Sequence, residues 1–304
     1  MRHNASFVLA IMSLLGLVAP VSQAAALRVF ACESEWAALA MALGGQRVTV
    51  TSATAANQDP HRIEPRPGLI AAVRRADLLV CTGAGLEAGW LERLISSAKN
   101  PKVAAGRPGY FLASQVVVLK EVPSSLNRAA GDVHAEGNPH FASDPRLVLS
   151  VATALTQRLA QLDPQGATSY AAQASAFSQT MQAAIARWQQ QAKPLAGMPV
   201  IQYHRRYIYL IDWLGMQDVG TLEPKPGVPP GPGDIQAMLS LIHDHPQALL
   251  LHAPFDDPSP LRWLARHGRV HAVALPAAPE PMVDGLQRWF DAMVNALLQE
   301  AKAP

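Results

Sequence analysis

The chain has 304 residues, enough for two ordinary domains with cores of their own, and its 25 Lys+Arg stand against 23 Asp+Glu. That near-neutral balance argues against nucleic acid as the main partner. The 25 prolines, with no low-complexity tract, point to an ordered chain with rigid turns.

The first 24 residues read as an export leader. Met1-Arg2-His3 is a short positive start, Phe7 to Val18 is an apolar run, Pro20 breaks it, and Ser22-Gln23-Ala24 puts small residues before a cleavage point after Ala24. The run is shorter than the roughly 20 residues a spanning helix needs. No cysteine follows the cleavage point directly, which argues against a lipid anchor on the first mature residue. The expected location is a bacterial periplasm, and the expected state a monomer.

Beyond the leader the chain alternates strand and helix. Leu27–Cys32 reads as a strand, Glu35–Leu43 as a helix, Arg47–Thr51 as a strand, Pro67–Ala76 as a helix and Asp77–Cys81 as a strand. Trp90–Ala98 is helical, and the valine run Gln115–Leu119 offers a further strand. Cys32 and Cys81 end two of these strands. In an oxidising compartment they could pair, or they could be two small buried apolar residues.

A different texture follows. Asp144–Leu162 is one helix, with Asp144 as N-cap and Pro145 at its first position. Asp163-Pro164 repeats that start, and no proline interrupts the Ala- and Gln-rich stretch until Pro194. Its roughly 29 residues would make a helix about 43 Å long, a stiff connector.

The second half repeats the first. Val200–Tyr203 is a strand, Arg205–Leu214 a helix, Gln217–Leu222 a strand, Gly233–Asp244 a helix and Ala248–Leu251 a strand. Pro260–His267, Val270–Leu275 and the closing helix Val283–Ala301 complete it. The expected fold is α/β, with two layered lobes joined by one long rigid helix. The expected division is leader 1–24, first lobe 25–163, connector 164–194 and second lobe 195–304.

Three histidines stand out. His61 lies in Asp59-Pro60-His61-Arg62-Ile63-Glu64-Pro65, His140 in Asn138-Pro139-His140, and His204 ends the apolar run Val200-Ile201-Gln202-Tyr203. Each segment suits the mouth of a cleft. Neutral imidazole is a preferred ligand of zinc and other late first-row ions. Three from distant segments would leave one tetrahedral position open. Glu64 is the expected acidic partner of an imidazole. Arg205 and Arg206 sit at a predicted helix start, where positive charge is unfavourable, and so imply an acidic neighbour. His252 ends a strand as His204 does, and His134 lies in the flexible segment Asp132–Asn138.

Asp59-Pro60-His61 with Glu64-Pro65, Arg75-Ala76-Asp77-Leu78-Leu79-Val80, Gly85-Leu86-Glu87 with Trp90-Leu91, and Asn138-Pro139-His140 with Asp144-Pro145 together resemble the zinc and manganese periplasmic solute-binding proteins of ABC transporters. These are the ZnuA-like, cluster A-I receptors, and the resemblance covers essentially the whole mature chain. It implies a divalent ion held in the cleft between the lobes by His61, His140 and His204, and delivery to a membrane permease.

The departure from that pattern is the fourth ligand. Many members carry an Asp after the last strand, where this chain has Pro276 in Val273-Ala274-Leu275-Pro276-Ala277-Ala278-Pro279-Glu280. The options left are water, Glu280 or a carboxylate of Asp256-Asp257, with His134 as an accessory candidate. Loss of an oxygen ligand favours Zn2+ over Mn2+. Two other readings stay open: an exported zinc hydrolase using three histidines and a bound water, and a same-fold receptor for haem or a metal chelate. No His-Glu-x-x-His helix is present to support the hydrolase.

Overall fold

Residues 25–124, 134–225 and 227–302 are described by a computed structural model. The leader 1–24, and Asp132 and Val133 of the Asp132–Asn138 loop, lie outside these residues. No helix among the described residues is long and apolar enough to cross a membrane.

The first lobe is built from β1 (Leu27–Ala31), α1 (Ser34–Gly44), β2 (Val48–Ser52), α2 (Pro67–Arg75), β3 (Leu78–Cys81), α3 (Leu91–Ala98) and β4 (Tyr110–Leu112). Its strands are parallel in the order β2-β1-β3-β4. After α4 (Pro145–Leu162) and α5 (Ala167–Gln191), the second lobe follows with β5 (Pro199–Gln202), α6 (Ile208–Trp213), β6 (Gln217–Thr221), α7 (Pro232–Asp244), β7 (Leu249–His252), α8 (Pro258–Gly268), β8 (His271–Ala274) and α9 (Gly285–Glu300). The order β6-β5-β7-β8, again parallel, repeats that of the first sheet. In each sheet the order reverses around the first strand. In open parallel sheets ligands bind beyond the strand C-termini at such a switch point.

The side-chain period of two sorts the strands between cores. Val29 and Ala31 of β1, and Leu78 and Val80 of β3, face a central core, as do Val200 of β5 and Leu249 and Leu251 of β7. Phe30, Cys32, Leu79 and Cys81 face the outer side of the first sheet, and Ile201 and Leu250 the outer side of the second. This alternation puts Cys32 and Cys81 on one face of neighbouring strands, where they form a disulfide.

The central core belongs to both lobes. It joins Trp36 of α1, Phe141, Tyr209 and Trp213 of α6, and Trp289 and Phe290 of α9. The connector α5 is 25 residues long, without Pro or Gly, and lies within this core. Its Trp188 packs at 5.2 Å against Phe290, the rings tilted by 41°, and donates Nε1–H to Asp291 Oδ1 at 2.6 Å. Tyr170, Met181, Ala184 and Trp188 are all buried, so the helix is fastened along its length and not only at its ends.

Two predicted elements are corrected. The strand expected at Gln115–Leu119 is instead β4 at Tyr110–Leu112, pairing Tyr110 with Leu79. Gly109 makes this possible: a Cβ there would come within 2.4 Å of the Lys102 carbonyl and 2.6 Å of that of Asp77. The valine run leaves the sheet, with Val118 87% exposed. The helix expected from Arg205 begins only at Ile208. A turn precedes it, in which Gln202 Oε1 accepts the Tyr207 N–H at 2.8 Å and Arg206 N–H approaches the His204 carbonyl at 2.6 Å.

Candidate metal centre

The three histidines converge. The ligand atoms of His61, His140 and His204 all lie within 4.8 Å of one another. His61 follows β2, His140 precedes α4, and His204 follows β5 by two residues. The C-terminal edges of the two sheets thus supply two of them, and the start of α4 the third.

Two of the rings are held from behind by carboxylates. His61 donates Nδ1–H to Asp59 Oδ1 at 2.8 Å, and Asp59 also accepts the His61 backbone N–H at 3.1 Å. Trp90 Nε1–H fixes the Pro60 carbonyl at 2.8 Å. His204 donates Nδ1–H to Glu223 Oε2 at 2.8 Å. An ionised carboxylate only accepts, so both imidazoles carry the proton on Nδ1 and present bare Nε2 atoms to the cleft. The Nε2 of His61 is buried with no hydrogen-bond partner, the state expected of an atom kept for a ligand. His140 is positioned through its backbone: Asn138 Oδ1 accepts its N–H at 3.0 Å, and Ser143 Oγ–H donates to its carbonyl at 2.9 Å. Asp144 then caps α4 by accepting the Arg146 N–H.

Electrostatics favour the neutral form of His61 and His140. Burial lowers His61 from its ordinary value, and the Arg206 charge adds to this against the pull of Asp59. Burial lowers His140 well below its ordinary value, again with Arg206 next in weight. For Asp59 burial pushes upward, but the His61 hydrogen bond and the charges of His61 and Arg206 outweigh it, and the carboxyl lies below the usual range.

The other candidates fall in different places. His134 is close, with ring centroids 5.6 Å from His61 and 6.3 Å from His140. Asp257 caps α8, accepting the Ser259 N–H at 2.9 Å, and Asp256 accepts the Ala253 N–H at 2.7 Å. Both line a cavity of about 320 Å³ that also takes in His61, His204 and Arg206. Glu280 lines a separate cavity with Ala56, Asn57, Pro276 and Trp289, to which none of the three histidines contributes. His252 stands outside the cluster, its Nδ1 3.0 Å from the Ala253 carbonyl. Glu64 is exposed and holds no imidazole; Asp59 and Glu223 do that work. Asp59 was legible as an Asx residue two before His61, whereas nothing in the sequence tied Glu223 to His204. The acidic neighbours implied for Arg205 are Glu121, bound through Nε at 2.7 Å, and Asp218 at 2.8 Å.

A family model described as ZnuA, zinc-uptake complex component A periplasmic, matches residues 29–300. The chain belongs to this family. ZnuA of Yersinia pestis, a high-affinity zinc uptake system protein, is 22% identical over 256 residues, covering 79% of this chain and 78% of that protein. The manganese-binding lipoprotein MntA of Halalkalibacterium halodurans is 25% identical over 205 residues, and that match spans 66% of this chain and 62% of the relative. Among solved structures, a zinc-bound ZnuA deletion mutant gives a TM-score of 0.75 at 21% identity, over 92% of this chain and 99% of that one. FpvC of Pseudomonas aeruginosa in complex with Mn2+ gives 0.73 at 18%, over 91% and 98%. At these identities the structural likeness establishes the ZnuA-type fold of two α/β lobes and a long helix.

Proposed function

We propose that this chain is the receptor of a metal importer. It binds one Zn2+ between the lobes through His61, His140 and His204 and passes it to an ABC-type permease. It works as an exported monomer after cleavage near Ala24. One observation carries the reading: three imidazole ligand atoms within 4.8 Å of one another, two of the rings oriented by carboxylates on Nδ1. The names of the relatives agree, one for zinc uptake and one for manganese. Zinc is favoured here because the donors are three nitrogens and Pro276 offers no oxygen ligand. The nearest acids are engaged with Nδ1 atoms and backbone N–H groups, which suits holding an ion better than activating a water for hydrolysis.

The test is competition against a chromogenic zinc chelator. Stoichiometry should be near one. His61→Ala, His140→Ala and His204→Ala should each weaken binding by about 1–3 kcal/mol or more. His267→Ala, on α8 and stacked on Trp263 at 4.2 Å, should not. Failure to compete at micromolar zinc, or an equal loss from His267→Ala, would overturn the assignment.

A further inference from the structure

Arg206 is the feature that a three-histidine zinc receptor does not explain. It is 6% exposed, and its Nε is buried with no hydrogen-bond partner. Its guanidinium stacks 4.9 Å from the Phe255 ring centroid, and its nearest acid contact is Asp59 Oδ1 at 4.0 Å from Nη2. A buried cation without a close partner is costly, and beside a divalent ion it is more so.

The acids around it are engaged elsewhere. Asp59 holds His61, Glu223 holds His204 and the Gly227 N–H, Asp256 caps the Ala253 N–H, and Asp257 caps α8. Glu35 lines a small cavity of about 30 Å³ with Arg206 and His140, yet makes no hydrogen bond to the guanidinium among the described residues. The larger cavity, about 320 Å³, brings Arg206 together with His61 and His204 and adds Tyr203 and Arg62. That space exceeds what one water needs and suits a small organic anion.

Resting on the zinc reading above, we propose that Arg206 and this cavity form an anion subsite, so that zinc is taken up with a small carboxylate. One carboxylate oxygen fills the fourth tetrahedral position, and the carboxylate also accepts from the Arg206 guanidinium, whose planar fork matches that geometry. No bond is made or broken beyond coordination and hydrogen bonding. The anion replaces, from outside the chain, the oxygen ligand that Pro276 cannot offer.

The experiment measures zinc affinity at pH 8, in bicarbonate-free buffer at constant ionic strength set with perchlorate. Acetate or glycine is added at millimolar concentration, and Co2+ serves as a visible-absorption probe of the same site. Acetate should tighten zinc binding to the wild-type chain by about tenfold, the scale of a charge-assisted hydrogen bond, and should shift the Co2+ bands. In Arg206→Gln the gain that acetate gives over the variant's own anion-free affinity should fall below about twofold. Response to both anions assigns the subsite to simple carboxylates, and response to glycine alone assigns it to an amino-acid chelate. Equal affinity with and without either anion, or an equal gain in Arg206→Gln, overturns the proposal. Should the variant not fold, the anion dependence of the wild-type chain decides alone. A protein that binds no zinc under any condition would instead overturn the zinc reading.

Discussion

His140 Nε2 and His204 Nε2 lie 3.2 Å apart, although 64 residues separate them in sequence and they stand on opposite sides of the cleft. Two nitrogens on a tetrahedral zinc, each at about 2.0–2.1 Å from the ion, would be separated by roughly 3.3 Å. The fold thus places this pair at ligand spacing without moving either main chain. What maintains the spacing is remote: Asn138 positions His140, and its Nδ2–H₂ also donates to the Arg205 carbonyl at 2.8 Å, next to His204. Tyr209 adds a second tie, donating to the Asn138 carbonyl at 2.7 Å.

The carboxylates behind the rings should matter nearly as much as the rings. Asp59→Asn and Glu223→Gln remove the charge that fixes each Nδ1 proton. Each should weaken zinc binding by about 10–100-fold while leaving the melting temperature of the metal-free protein nearly unchanged. Chelator competition and thermal unfolding measure the two effects separately. Wild-type affinity in both variants would show that the rings are oriented by packing alone.

Acid should release zinc late. His61 and His140 are both lowered from their ordinary value, so each stays neutral below the pH at which a free imidazole charges. Protons therefore compete with the ion at these two rings only under about pH 6.5. The apparent zinc affinity should be nearly flat from pH 8 to that point and then fall steeply. A loss of about tenfold already between pH 8 and 7 would contradict the lowered values.

Buried carboxyls should make the metal-free protein less stable at alkaline pH. Burial raises Glu35 to about 7 from 4.5, and Glu87 likewise to about 7. A carboxyl raised in the folded state contributes stability that is present below its unfolded value and lost as pH rises through the folded one. For Glu35 the window runs from 4.5 to about 7. Glu35→Gln, which mimics the protonated acid, should be more stable than the wild type at pH 8, by at most about 3 kcal/mol, and nearly equal to it at pH 4. Urea unfolding at the two pH values checks this; a variant less stable at pH 8 would reverse the sign.

Zinc should not close the lobes by a large rotation. A helix bends at a defect such as proline or glycine, and α5 has neither. Trp188 also anchors it to α9 through Phe290 and Asp291. Small-angle scattering should give nearly the same radius of gyration with and without zinc, while hydrogen exchange slows in Glu223–Pro232, whose Glu223 holds His204. A clear drop in radius with unchanged loop exchange would contradict the rigid connector.

The sequence alone determined the alternating elements, the long uninterrupted helix and the three histidines. Each of these is written locally: in a hydrophobic period, in the absence of a helix breaker, or in a short turn around an imidazole. Tertiary structure decided the rest. That Tyr110–Leu112 and not the valine run joins the first sheet depended on the close approach that Gly109 permits, not on β-propensity. Cys32 and Cys81 could pair or merely be buried until the β1–β3 register put them side by side. Glu223 became the partner of His204, and Glu64 of nothing in the cleft, because the ends of β5 and β6 are neighbours in space. The burial of Arg206 beside the imidazoles arises from a turn in which Gln202 replaces the first turn of the expected helix. Local patterns record which face a residue takes; only packing between distant segments fixes what it meets there.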